Sequence, residues 1–176
     1  LALLGVFLIG LSKAGFATGL GMLSTPLMAQ ALPARTAIGV ILPLLCLADV
    51  FTLAVYWRRW DLRLVAWPIV GTLIGIALAT GFVTSISDLA LRRSIGSVGL
   101  VLTLLLIVRN RYHPHAVYRP RPWHGVLVGI AAGISSTIAH AAGPVLALFL
   151  LAQRLDKTSF VATSGVFFTV NNLLKV

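Results

Sequence analysis

Residues 122–153 run for 32 positions without one Asp, Glu, Lys or Arg. A helix needs about 20 apolar residues to cross a bilayer core, so this stretch is longer than a single crossing requires. Residues 14–34, 64–87, 94–108 and 158–174 are also free of charge, and 36–57 carries only Asp49. Long unbroken apolar runs exclude barrel strands, which must alternate apolar and polar positions. With 59% hydrophobic and 10% charged residues, the composition excludes a water-soluble globule and a disordered chain. The sequence predicts an all-α, polytopic transmembrane protein of about six apolar segments, the first and fifth unusually long.

The charges fall in the breaks between these segments. Fourteen Lys and Arg face four acids, all Asp, for a net +10. In a soluble chain that excess would point to nucleic acid; here it points to loops held on the cytoplasmic face, and no nucleic-acid partner is expected. The dense clusters are 58–63 and 109–121, the second with two prolines and splitting the chain into two halves. If every segment crosses once, basic residues divide seven against five between the two faces. If the first and fifth segments are re-entrant, the division becomes nine against three, which the positive-inside rule prefers. Cys46 is the single cysteine, so no intrachain disulfide or Cys-based metal site is expected. His113, His115 and His124 lack carboxylate companions, and neither metal nor cofactor is expected.

The halves resemble each other. Gly15 and Pro26 match Gly133 and Pro144 at a separation of 118 residues. Thr36 and Asp49 match Thr158 and Asn171 at 122. Met22 then matches His140. The division is a first repeat over 1–108 with about four membrane segments, a basic loop at 109–121, and the opening of a second repeat over 122–176 with about two. The rest of the second repeat is expected beyond Val176. With re-entrant first and fifth segments the repeats are inverted. Both long segments are rich in Gly and hydroxyls, in 10–21 and 129–143. Gly and Pro weaken a helix, and backbone that unwinds at membrane depth must line a cavity or be covered by protein. Broken segments in matching positions of two halves point to a substrate site, and half-helix N-termini favour anions. The alternative for each glycine singly is close helix packing.

Several motifs carry a resemblance. The run Gly10-Leu11-Ser12-Lys13-Ala14-Gly15-Phe16, then Gly19-Leu20-Gly21-Met22-Leu23 and Pro26-Leu27-Met28-Ala29, is similar to the first signature of the sulfite exporter TauE/SafE family. Ile41 to Asp49 and Tyr56 to Asp61 continue it. Ser136-Thr137-Ile138-Ala139-His140-Ala141-Ala142-Gly143-Pro144, followed by Gln153, Lys157-Thr158 and Phe167 to Lys175, resembles the second. The chain has Ala17-Thr18-Gly19-Leu20-Gly21 where members often carry a glycine run, and no such run in the second half. The resemblance implies a permease of the bacterial inner membrane for small sulfur-containing anions such as sulfite or organosulfonates.

The expected substrate-binding residues are Lys13, Gly15, Thr18, Gly19, Gly21, Thr25, Ser135, Ser136, Thr137, His140 and Gly143. His140 would donate to an anion or carry a proton; the alternative is a neutral imidazole bonded to a neighbouring helix. Asp49 would pair with Lys13 or Arg35, or relay a proton, with Asn171 as its uncharged counterpart. Lys13 would attract an anion or snorkel to an interface. The hydroxyls would bond oxyanions, or their own helix backbone. The expected function is transport by alternating access at a midplane site between the repeats, with no enzymatic activity. The partners are the anion and the bilayer, and a homo-oligomer is compatible with the sequence. The rival classes are an intramembrane enzyme, which would need a base with a positioned partner, and a structural membrane subunit.

Overall fold

The computed structural model describes residues 2–13, 20–112 and 121–176. In chain order the helices are α1 (Ala2–Lys13), a 3-10 turn (Leu20–Leu23), α2 (Ser24–Ala31), α3 (Ala34–Val55), α4 (Leu62–Ser85), α5 (Asp88–Tyr112), α6 (Pro122–Ala139), α7 (Ala142–Leu151) and α8 (Lys157–Leu173). Helices α3, α4, α5 and α6 are each long and apolar enough to cross a membrane. Their boundaries follow local chemistry. The Asp61 carboxylate accepts from the Arg63 N–H at the start of α4, and Asp156 accepts from Thr158 and Ser159 at the start of α8. Pro122 opens α6 at a position where a missing N–H is harmless.

The closest helix pair is α4 with α6. A Cβ added to Gly129 would lie 2.0 Å from the Pro68 carbonyl oxygen, and one on Gly71 2.0 Å from that of Val126. Gly125 faces Trp67 and Pro68, while Gly133 faces Thr72 and Gly75. Partners rise together along both helices, so the two run parallel. Glycines four apart present one bare stripe, which lets the backbones touch where lipid supplies no hydrophobic drive. Thr72 Oγ1 donates to the Gly129 carbonyl at 3.2 Å across this seam.

Two segments fold back on themselves. Gly5 of α1 lies against Met28 and the Ser24 carbonyl of α2, so α1 and α2 form a hairpin. Pro122 and Gly125, from the start of α6, line one cavity with Phe149 from the end of α7. Helix α7 therefore returns to the level where α6 began. The hairpins open at opposite ends of the bundle. At one end Arg92 of α5 donates to the Ala29 and Leu32 carbonyls, and the Ala34 N–H donates to Asp88 Oδ1 at 2.8 Å. The end of α2 and the starts of α3 and α5 gather there. At the other end the Asp61 N–H donates to Thr163 Oγ1 at 3.0 Å, and Arg63 and Arg121 line the cavity that holds Phe149. The starts of α4, α6 and α8 gather there.

The core between these elements includes Met28, Ile41, Leu91, Ile95, Leu146, Leu150 and Phe167, all fully buried. Leu47, Val50, Phe51 and Val55 of α3 and Leu100, Leu104, Ile107 and Val108 of α5 face outward. In a bilayer such faces need no covering, since lipid is as apolar as the side chains.

Candidate functional site

The second hairpin turns at His140. This residue has φ 50° and ψ 32°, the left-handed region that a non-glycine residue enters only at a cost. Its N–H donates to the Ser136 carbonyl at 2.9 Å, and the Ala141 N–H reaches back to that of Ser135 at 3.2 Å. These bonds close the end of α6 and let α7 start two residues later. The same turn projects the imidazole towards α3, where Nε2 meets the Ile38 carbonyl oxygen at 3.0 Å. Lys175 Nζ meets Nδ1 at 3.3 Å. A carbonyl only accepts and an ammonium only donates, so the two bonds together select the neutral imidazole with its proton on Nε2.

A chain of side-chain hydrogen bonds extends from this point. Lys175 Nζ donates to Ser136 Oγ at 2.8 Å, and Asn171 Nδ2 donates to the same oxygen at 2.7 Å. Asn171 Nδ2 also faces Asn172 Oδ1 at 3.4 Å, and Asn172 Nδ2 donates to Asp49 Oδ2 at 2.7 Å. The carboxylate fixes the Asn172 amide, because only the NH₂ end can face it. That orientation turns the Asn172 oxygen to Asn171 and fixes the second amide in turn. Asp49 is fully buried, and Ser136, Asn171 and Asn172 are nearly so. Two donors occupy the Ser136 oxygen, so its own hydroxyl proton is the function it has left to give. Asn171 Oδ1 is buried and accepts no bond among the described residues.

Ser136, His140, Asn171 and Asn172 line a cavity of about 70 Å³. Gly143 and Pro144, at the start of α7, close one side; Ser12, Gly21 and Met22, at the tip of the first hairpin, close the other. The cavity thus lies where the tips of two oppositely directed hairpins meet, walled by Leu45 of α3 and Phe168 of α8.

The residues singled out from sequence have different fates. Ser136, His140, Gly21, Gly143 and Asn171 come together around the cavity. Ser135 and Thr137 do not: Ser135 Oγ donates to the Ala132 and Ala141 carbonyls, and Thr137 Oγ1 to that of Gly133. Both spend their hydroxyls on their own hairpin's backbone, the usual outcome inside a helix. Thr25 is fully buried in α2 away from the cavity, and its hydroxyl has no partner among the described residues. Gly15, Thr18 and Gly19 lie outside the described residues, as does the side chain of Lys13. Asp49 bonds Asn172, the side chain of the expected alternative Lys13 lies outside the described residues, and the Arg35 guanidinium donates to the Val83 and Ile86 carbonyls and caps α4. Ser12, one of the hydroxyls expected to bond oxyanions, lines the cavity, whereas Lys175 and Asn172 were missed as site residues. The signal for both was present: 168, 171, 172 and 175 recur at helical spacing on one face.

The model of the family described as sulfite exporter TauE/SafE matches residues 2–176. The chain belongs to the sulfite exporter TauE/SafE family. No curated protein and no solved structure was matched. Membership in TauE/SafE, together with the apolar helices, makes this a multi-pass membrane protein of a transporter family, one that implies transport of sulfur anions such as sulfite. The TauE/SafE match spans both hairpins and α8.

Proposed function

We propose that this TauE/SafE protein carries sulfite or a small organosulfonate by alternating access, with the anion held in the cavity between the hairpin tips. The observation that supports this reading best is the convergence of donors there. The Ser136 hydroxyl, the Asn171 amide and the Lys175 ammonium meet at one point beside the cavity. An oxyanion removed from water needs fixed donors, and charge-assisted donors are the strong ones. Asp49 repels an anion at close range, and its two-asparagine spacer keeps it from the cavity's donors while setting their orientation. The two hairpins are the ends of inverted repeats spanning 1–108 and 122 onward, and their tips form the surface that opens to each side in turn. The basic loops at 58–63 and 109–121 face the cytoplasm of a bacterial inner membrane.

His140 and Lys175 supply the coupling in this reading. A proton arriving at Nδ1 of His140 must displace the Lys175 ammonium, which frees that cation for the anion. The test is sulfite flux into proteoliposomes across a pH series. Ser136→Ala and Lys175→Gln should each lower flux at least about tenfold, the effect of losing one charge-assisted bond. His140→Gln should flatten the pH profile. Flux with unchanged magnitude and pH dependence in all three variants would sink both roles. Ligand-dependent thermal stabilisation across an anion panel separates this reading from a structural subunit, which would show none.

A further inference from the structure

The central cavity is one of a series. Ser12 and Phe168 line it, and both also line a second cavity of about 260 Å³. The second cavity contains Lys157, Phe160 and Ser164 of α8 and Leu155 of the preceding turn. Leu155 in turn borders an open groove of about 550 Å³ that holds Arg58, Arg59 and Arg63. From groove to centre the spaces narrow, and each shares a wall residue with the next.

One face of α8 runs along this series. Lys157, Phe160, Ser164 and Phe168 are three or four residues apart, and Asn171 and Asn172 continue the same stripe into the central cavity. Ser164 lies about 6 Å along the helix from Phe168 on the basic side. Gly165 keeps the passage close to α3, because a Cβ there would lie 2.9 Å from Thr52 Cγ2. At the opposite end of the bundle Arg92 holds the Ala29 and Leu32 carbonyls, and Arg35 holds the end of α4.

We propose that the second cavity is the access vestibule for a small anion arriving from the basic end, and that Phe168 is the residue that sizes its passage into the central cavity. This rests on the central cavity being the anion site. The arginines of the groove gather anions by long-range attraction, strongest where low-dielectric walls focus the field. Lys157 continues that field at the mouth, and beyond it the apolar lining offers a hydrated anion no resting place. Phe168 stands between that lining and the donors of the centre, and its ring packs edge-on against Phe167 at 5.9 Å.

Cysteine accessibility tests the route without any anion. In a Cys46→Ser background, Arg59→Cys marks the basic face of the reconstituted protein. A membrane-impermeant maleimide should modify Ser164→Cys from that same face. Met22→Cys, in the central cavity, should react slowly with Phe168 present and about tenfold faster with Phe168→Ala, since thiol modification depends on access. Phe168→Leu should be intermediate and Phe168→Trp slower, which carries the test if the alanine variant fails to fold. Modification of Ser164→Cys only from the opposite face, or a Met22→Cys rate indifferent to residue 168, would overturn the proposal. Sulfite flux in the same vesicles keeps the two readings apart. Flux without dependence on Phe168 refutes the route. Gated labelling without flux supports the route and refutes the anion.

Discussion

The first hairpin, α1–α2, and the second, α6–α7, enter the bundle from opposite ends and are held by different forces. The second is sewn to α4 along a glycine seam where backbones touch, and its tip is tied into a continuous polar chain reaching Asp49. The first packs Gly5 on Met28 and is tied at its base, where Arg92 bonds the carbonyls at the end of α2. Ser24 and Thr25, near its tip, bury hydroxyls that have no partner among the described residues. The contrast is one of means: the second hairpin is held by backbone contact and a polar chain, the first by side-chain packing and by a guanidinium at its foot.

The largest effect should come from the seam. Gly129→Ala forces a Cβ into the Pro68 carbonyl, so the backbones must part, at about 1–3 kcal/mol or more. Gly10→Ala, on the first hairpin, meets nothing within 4 Å and should be neutral or stabilising, by up to about 1 kcal/mol from helix propensity. Thermal unfolding in detergent compares the two; equal destabilisation would remove the distinction between the hairpins. A middle effect should come from the tips. Ser136→Ala removes the oxygen that the Asn171 amide and the Lys175 ammonium share, at about 1–3 kcal/mol in total. Ser24→Ala removes a hydroxyl with no partner among the described residues and should change stability by less than about 0.5 kcal/mol. If Ser24→Ala is the costlier change, the polar load lies on the first hairpin and the comparison is reversed.

The smallest effect should come from the cap of α8, the helix both tips face. The Ser159 and Thr158 donors hold the Asp156 carboxyl below its ordinary value. A group with a lowered folded value contributes stability that is complete above its unfolded value and is lost as pH falls through the folded one. Asp156→Ala should therefore lower the unfolding midpoint slightly at neutral pH and not at low pH, whereas Asp156→Asn keeps a capping oxygen and loses the titration. An acid-insensitive difference between wild type and Asp156→Ala would show that the cap contributes by shape alone.

Parts of the site were legible in the chain because they are local. A helix that must break at membrane depth shows its glycines and proline, so Gly133 to Pro144 announced the second tip, with His140 inside it. The GxxxG spacing of Gly125, Gly129 and Gly133 was equally readable as packing. The hydroxyls were not separable: Ser135, Ser136 and Thr137 are adjacent and chemically alike, and only Ser136 faces the cavity. Adjacent helical positions point about 100° apart, and which direction is inward depends on neighbours that local sequence does not name.

What the sequence determined by itself is the solvent of each segment, since transfer to lipid is a property of twenty or so consecutive residues. It determined the breaks, the basic loops and, through its two signatures, the family. The tertiary structure alone decided that Asp49 meets Asn172 across 123 positions and that Lys175 reaches Ser136 across 39. It also decided that the two hairpins present their tips to one another. Those contacts depend on where each helix lies against the others, and a side chain's partner in a bundle is fixed by packing between elements rather than by the period within one.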